Sequence, residues 1–231
     1  STSGSVNTSQ YIDTILSGQS WSTSLGQGAT VTYSFEYTAA SSSMLSGTGH
    51  YGFSPAQEQI TRAALDDISS QIDITFNEAG NPYAADIHFY NATLSGNTAG
   101  IANYYFNWNQ QLTSATVGMD VDAQNFTEVG HWSYTTLLHE IGHAIGLKHP
   151  GNYNGYEDGP FLPSHLDNED LTVMSYNETN VTPTSMQPLD IAALEHLYGA
   201  ADGGTTSTDT GGSGSASNDL VQGTIGGDDL K

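Results

Sequence analysis

His139-Glu140-Ile141-Gly142-His143-Ala144-Ile145-Gly146-Leu147-Lys148-His149-Pro150 holds, within twelve residues, most of a metal site and a base beside it. On a helix, His139 and His143 stand four apart, so both imidazoles leave one face about one turn from each other and can hold one ion. Glu140 follows the first ligand directly. Its carboxylate then lies beside the metal and not on it, where it can take a proton from an activated water. Gly146, three residues past the second histidine, can adopt φ > 0, end the helix and turn the chain so that His149 reaches the same ion. Three neutral nitrogens leave a fourth position open, the pattern of a catalytic zinc and not of a closed structural one. A lone pair of histidines on a helix is often only a core or surface feature; the complete spacing sets this stretch apart.

Outward from this stretch, the chain of 231 residues is 36% hydrophobic, enough for a sizeable core, as one large domain or as two halves with a cleft between them. Arg62, Lys148 and Lys231 face 25 acidic residues, a formal charge of −22. Such a surface cannot neutralise phosphates, which excludes nucleic acid and anionic membranes as partners, and it favours cations, calcium among them. With no run of about 18 apolar residues, no membrane span is expected, and no basic and apolar leader is visible from Ser1. The absence of cysteine removes disulfides, thiolate ligands and a thiol nucleophile together.

The element pattern is mixed. Tyr11, Ile12, Ile15 and Leu16 form a short apolar turn that should dock on the body of the protein. Apolar residues alternate from Thr30 to Tyr37, as in a strand, and a Gly/Ser loop follows. Ser54-Pro55-Ala56-Gln57 announces a helix with a capping box, its stripe running through Ile60, Ala64, Leu65, Ile68 and Ile72. Ile72–Phe76, Ile87–Phe89, Ile101–Phe106 and Val117–Val121 bring the strands to about five, and the helix between the first two predicts a parallel crossover. Ser133 is placed to cap the helix of the histidines, with Leu137, Leu138, Ile141 and Ile145 as its buried side. Beyond Pro150 an irregular acidic region extends to Asp170; Asp167, Glu169 and Asp170 are a calcium candidate there, though a solvated charge run is the commoner meaning. Pro188 and Gly199 bracket a last helix with Ile191, Leu194 and Leu197 inward. Gly203–Ser217 reads as a linker, after which Gly214–Gln222 and Gly223–Lys231 superpose as nonapeptides, Asp219 matching Asp228.

The zinc stretch followed by Val173-Met174-Ser175-Tyr176 resembles a metzincin with its Met-turn. With Leu189-Asp190-Ile191-Ala192-Ala193-Leu194-Glu195-His196-Leu197-Tyr198-Gly199-Ala200, the trailing nonapeptide and the Tyr11–Gly18 segment with Trp21, the chain is similar to the serralysins, secreted bacterial zinc endopeptidases. The resemblance implies an α+β catalytic domain: a twisted, mostly parallel five-stranded sheet, long helices, and a cleft between subdomains. Residues 1–202 would be the protease domain, its upper part about 20–148 and its lower part about 149–202 with the N-terminal helix docked. Residues 203–213 would be a linker, and 214–231 a remnant of a calcium-binding parallel β-roll. Tyr176 would be a fifth, movable zinc ligand that stabilises the oxyanion. Met174 would form the floor under the histidines. Ile101, Ala102 and Asn103 would lie on the edge strand that takes substrate by strand addition. Asp219 and Asp228 would be calcium ligands, yet fewer than two repeats are present, and a β-roll shares each ion between successive turns.

These readings converge on a secreted, monomeric zinc endopeptidase acting on proteins or peptides, with calcium as a second ion. The rivals are a narrow processing protease for one surface protein and, from another class, a catalytically dead adhesion module stabilised by zinc and calcium. A structural zinc needs no base, so Glu140 argues against the second.

Overall fold

A computed structural model of the chain describes residues 6–37, 42–123, 126–201 and 221–224. The expected linker at 203–213, Asp219, Asp228 and most of the nonapeptide pair lie outside the described residues.

Strands β1 (Ala29–Ser34), β2 (Thr48–Tyr51), β3 (Ile74–Glu78), β4 (Ile87–Thr93), β5 (Gly100–Phe106), β6 (Leu112–Asp120) and β7 (Val221–Thr224) form one sheet in the order β3-β1-β4-β6-β5-β7, with β2 on β4. Among the described residues the sheet therefore has seven strands, two more than the five expected. The five expected strands are its body, and β3, β1, β4 and β6 run parallel. β1 pairs only with the first two residues of β4, and antiparallel β2 takes the remainder of that edge. Thr48-Gly49-His50-Tyr51 shows no apolar alternation because none of its residues is buried, so sequence periodicity could not reveal it. β4 is buried along six of its seven positions, as a central strand covered on both faces should be.

Helix α1 (Pro55–Ser69) starts as its sequence dictates: Ser54 Oγ accepts from Gln57 N, and Gln57 Oε1 accepts from Ser54 N at 2.8 Å. Its stripe of Ala64, Leu65 and Ile68 is buried, and β1 and β3 on either side of it in sequence are parallel neighbours, as the crossover predicts. Helix α3 (Pro188–Tyr198) begins at Pro188 and ends at Gly199 with φ 87°.

Helix α2 (Trp132–Ala144) carries the first two histidines and packs on β5 and β6. Its cap is His131 and not Ser133: His131 Nδ1 accepts from Ser133 N at 3.3 Å, which places Ser133 inside the first turn. The side-chain oxygen that made Ser133 a capping candidate instead bonds His131 Nδ1 at 2.6 Å. Every residue from Ser133 to Ala144 is buried, so α2 is a core helix and not one with a single buried side.

The far end of α2 is held by three segments. Trp21 Nε1 donates to Ala144 O at 2.9 Å and Tyr198 Oη to Ile145 O at 2.7 Å, which satisfies carbonyls that a helix end leaves unpaired. Ser17 N donates to Gly146 O and Lys148 N to Ile15 O, so the N-terminal segment docks as expected, here as a bridge between Leu16 and Leu147. Gly146 has φ 108°, and a Cβ there would stand 2.5 Å from Gln19 O. Glycine alone meets both demands.

Candidate metal centre

From α2 and the turn at Gly146, the three histidines converge. Their Nε2 atoms stand 3.0 Å apart for His139 and His143, 3.0 Å for His143 and His149, and 3.2 Å for His139 and His149. Nitrogens on a tetrahedral zinc at 2.0–2.1 Å are about 3.3 Å apart, so the triangle has the size that zinc requires. All three rings are fully buried.

The opposite ring nitrogens fix the protonation. His139 Nδ1 donates to Val173 O at 2.7 Å and His143 Nδ1 to Leu147 O at 2.9 Å. His149 Nδ1 donates to Glu157 Oε1 at 2.5 Å. Carbonyls and carboxylates only accept, so each Nδ1 carries a proton and, in the neutral ring, each Nε2 turns a lone pair to the shared centre. Three converging lone pairs repel unless a cation lies between them. The donor set thus fits a zinc ion, and among the described residues it is the group of His, Asp and Glu side chains gathered closely enough to hold one.

Glu157 went unnoticed in the acidic loop because its partner is eight residues away and no local spacing marks it. Burial works against its charge, but the hydrogen bond from His149 and the nearby Lys148 ammonium outweigh it and hold the Glu157 pKa below the usual range. Behind His139 a second carboxylate, this one fully buried, acts at one remove. Asp190 of α3 accepts from Thr172 Oγ1 at 2.6 Å, Val173 N at 2.8 Å and Gln187 N at 2.8 Å. Burial pushes Asp190 up to about 6, against these donors, so at neutral pH it is an ionised acceptor that holds the Val173 peptide whose carbonyl orients His139.

Glu140 is fully buried beside this centre, directly above the start of β5. A Cβ on Gly100 would meet Glu140 Oε1 at 2.6 Å, Glu140 Cγ at 2.7 Å and Thr136 Cγ2 at 2.9 Å. The missing side chain at Gly100 makes the room in which the carboxylate lies. Met174 is fully buried, and its sulfur lies 2.6 Å from where a Cβ on Gly142, the residue before His143, would be. The Tyr176 ring packs 4.9 Å from that of His149 and 5.8 Å from that of His139, and it stacks on Tyr153 at 4.3 Å. A solvent-open pocket of about 70 Å³, lined by Trp132, Thr135, Thr136, Glu169 and Glu178 among others, lies along α2 one turn before Glu140.

The remaining expected residues divide. Ile101 and Ala102 pair with Gly118 and Val117 of β6, and Asn103 pairs with both β6 and β7. The Asn103 amide donates to Met44 O and Ser46 Oγ, so its side chain ties down a loop. Asp167 does not join Glu169 and Asp170 in a cluster. Its Oδ1 accepts from Tyr153 Oη and Ser175 Oγ, Asp170 accepts from Thr179, and Glu169 lines the pocket.

A buried triangle of histidines on a helix and the turn after it, with a carboxylate one residue past the first of them, is a metal-binding arrangement with an acid beside it. The model of the metallo-peptidase family M12B, reprolysin-like, matches residues 19–150, more than half of the chain and all of this ligand set, and the chain belongs to that family. Serralysin G of Dickeya chrysanthemi is 32% identical over 194 residues, 76% of this chain and 40% of that protein. Serralysin of Proteus mirabilis is 34% identical over 213 residues, 81% of this chain and 42% of that protein. The resemblance to serralysins read from the motifs is thereby borne out, and the chain spans about two fifths of the length of these relatives. Among solved structures, high choriolytic enzyme 1, a hatching-enzyme zinc protease of Oryzias latipes, overlaps 79% of this chain and 95% of its own at 12% identity and a TM-score of 0.43.

Proposed function

We propose that the chain hydrolyses internal peptide bonds of proteins at the His139–His143–His149 centre, with Glu140 as general base. The observation that carries this is the convergence of three Nε2 atoms at 3.0–3.2 Å beside a fully buried Glu140. Bound there, zinc supplies a Lewis acid that polarises a carbonyl and brings the pKa of water to about 7. The Glu140 carboxylate accepts the proton of the attacking water and returns it to the leaving amine. Tyr176 Oη donates to the carbonyl oxygen as negative charge develops, a contribution whose loss typically costs about 100- to 1000-fold. The role of Tyr176 as a movable fifth ligand is supported by its ring lying against His139 and His149.

The outer edge of β5, at Ile101, Ala102 and Asn103, holds the substrate backbone by antiparallel pairing, and the pocket along α2 takes a neighbouring side chain. On this reading residues 149–202 form the lower wall of the site and about 20–148 the upper, with 203–213 as linker and 214–231 as a repeat segment. The repeat segment binds calcium through Asp219 and Asp228, and the protein acts outside the cell as a monomer. The likeness to serralysins supports these last assignments, and no helix among the described residues is long and apolar enough to cross a membrane.

Glu140→Gln should abolish cleavage of casein while zinc stays near one per chain, since a positioned base contributes about 100- to 10,000-fold. Metal analysis and a cleavage assay on the same sample decide it. Parent-rate cleavage by the variant would remove Glu140 from the mechanism. A random peptide library separates the rivals, because a binding module yields no products, a processing enzyme few, and a general protease many.

A further inference from the structure

We propose that Val221–Thr224 is a built-in competitor for the strand edge that would hold a peptide substrate. It rests on reading β5 as the substrate-holding strand. Along its inner edge β5 pairs with β6 from Gly100 to Phe106. Along its outer edge it pairs antiparallel with β7, Phe106 opposite Val221, Tyr105 opposite Gln222, Tyr104 opposite Gly223 and Asn103 opposite Thr224. β7 therefore advances along β5 toward Gly100, the residue over which Glu140 lies. A segment of this chain thus holds the Asn103–Phe106 part of that edge, in the direction an incoming peptide would take, and meets the stretch assigned to substrate at Asn103.

Two strands cannot share that edge. Each N–H and C=O of Asn103–Phe106 that points away from β6 serves one neighbour, and β7 is that neighbour. The composition of the segment suits it to strand pairing. Val221-Gln222-Gly223-Thr224 has no charge in a strongly acidic chain, β-branched residues at both ends and no proline, so each residue keeps its N–H. Being tethered, it competes at an effective concentration on the order of millimolar. A free peptide must exceed that level or wait for β7 to leave. Were β7 only a cover that protects the sheet edge, removing it would lower stability and leave peptide affinity where it was.

The test uses the full chain with Glu140→Ala, so that peptide is bound and not consumed, and a fluorescein-labelled unstructured casein peptide as the probe. Gln222→Pro/Thr224→Pro and Val221→Pro/Gly223→Pro are compared with the parent. In an antiparallel ladder alternate residues face the partner, so one pair removes the N–H groups directed at β5. Peptide affinity should rise about three- to tenfold in at least that variant, the range expected when a weak tethered competitor is released. With Glu140 restored, the gain should fall in KM and not in kcat. Hydrogen exchange should show alternate amides between Asn103 and Phe106 losing protection while those facing β6 keep it. Equal or weaker peptide binding in both variants overturns the proposal. So does absence of binding to all three proteins, because an edge that takes no peptide has nothing to be shielded from. If peptides bind as expected and no Glu140-containing protein cleaves casein, the endopeptidase reading falls and the shielding stands.

Discussion

Glu157 shows how a single side chain tunes the centre without touching the metal. It accepts from His149 Nδ1, fixing the tautomer of that ring and raising its basicity, while His139 and His143 rely on neutral carbonyls. His149 follows a turn and not a helix, so it has the weakest backbone support of the three. Glu157→Ala should weaken zinc affinity by about 10- to 100-fold, with Glu157→Gln intermediate because it keeps an acceptor. Competition against a chromogenic chelator measures this, and affinities equal to the parent would show that the bond orients nothing. At Gly100 the telling feature is a side chain that is missing, which leaves space for the one acid on α2.

At the scale of elements, α2 is anchored where its hydrogen-bonding runs out. Tyr198 joins two of its supports, accepting from Trp21 N at 3.2 Å and donating to Ile145 O at 2.7 Å, with its ring fully buried. Tyr198→Phe keeps the ring and deprives both backbone groups of this partner, a loss of about 1–3 kcal/mol for buried polar atoms. For a chain of this size each kcal/mol moves Tm by about 2–4 °C, so a thermal melt should fall by several degrees. An unchanged Tm would mean that other groups already satisfy those atoms. Asp190 in α3 links a second element to the metal, since its anion holds the Val173 peptide that orients His139.

For the whole molecule, the centre ties a helix to a long irregular part of the chain. Between Ile145 and Gln187 no helix or strand is formed, and this long segment returns to α2 through His149, Glu157 and Val173. Within a chain of formal charge −22, the two cations among the described residues are engaged in structure: Arg62 pairs with Glu58 and Glu78, and Lys148 donates to the Thr14, His149 and Pro160 carbonyls. Zinc binding to the folded state alone should stabilise it by about 4 kcal/mol at a thousandfold excess over Kd. Dialysis against a chelator should lower Tm by about 10 °C, with recovery when zinc is returned. A melt indifferent to the chelator would mean that the irregular segment is held without the ion.

Local chemistry was legible from the residues alone. The i, i+4 histidines, the adjacent carboxylate, the glycine at φ 108°, the capping box of α1 and both ends of α3 depend on neighbours within a few positions, and sequence spacing states such relations directly. The motif that identifies the family lies wholly in this short range. Tertiary structure decided what depends on distant partners. His139 meets Val173 across 34 residues, β2 is a strand only because β4 has an open edge, and β5 acquires an outer neighbour only from beyond residue 220. Hydrogen bonds between remote segments leave no period in the sequence, because either partner alone reads as ordinary loop. The sequence by itself therefore determined which nitrogens can meet at a metal and which carboxylate stands beside them. Only the folded chain determined what aims those atoms and what shares their edge, since both depend on backbone groups whose position is set by packing.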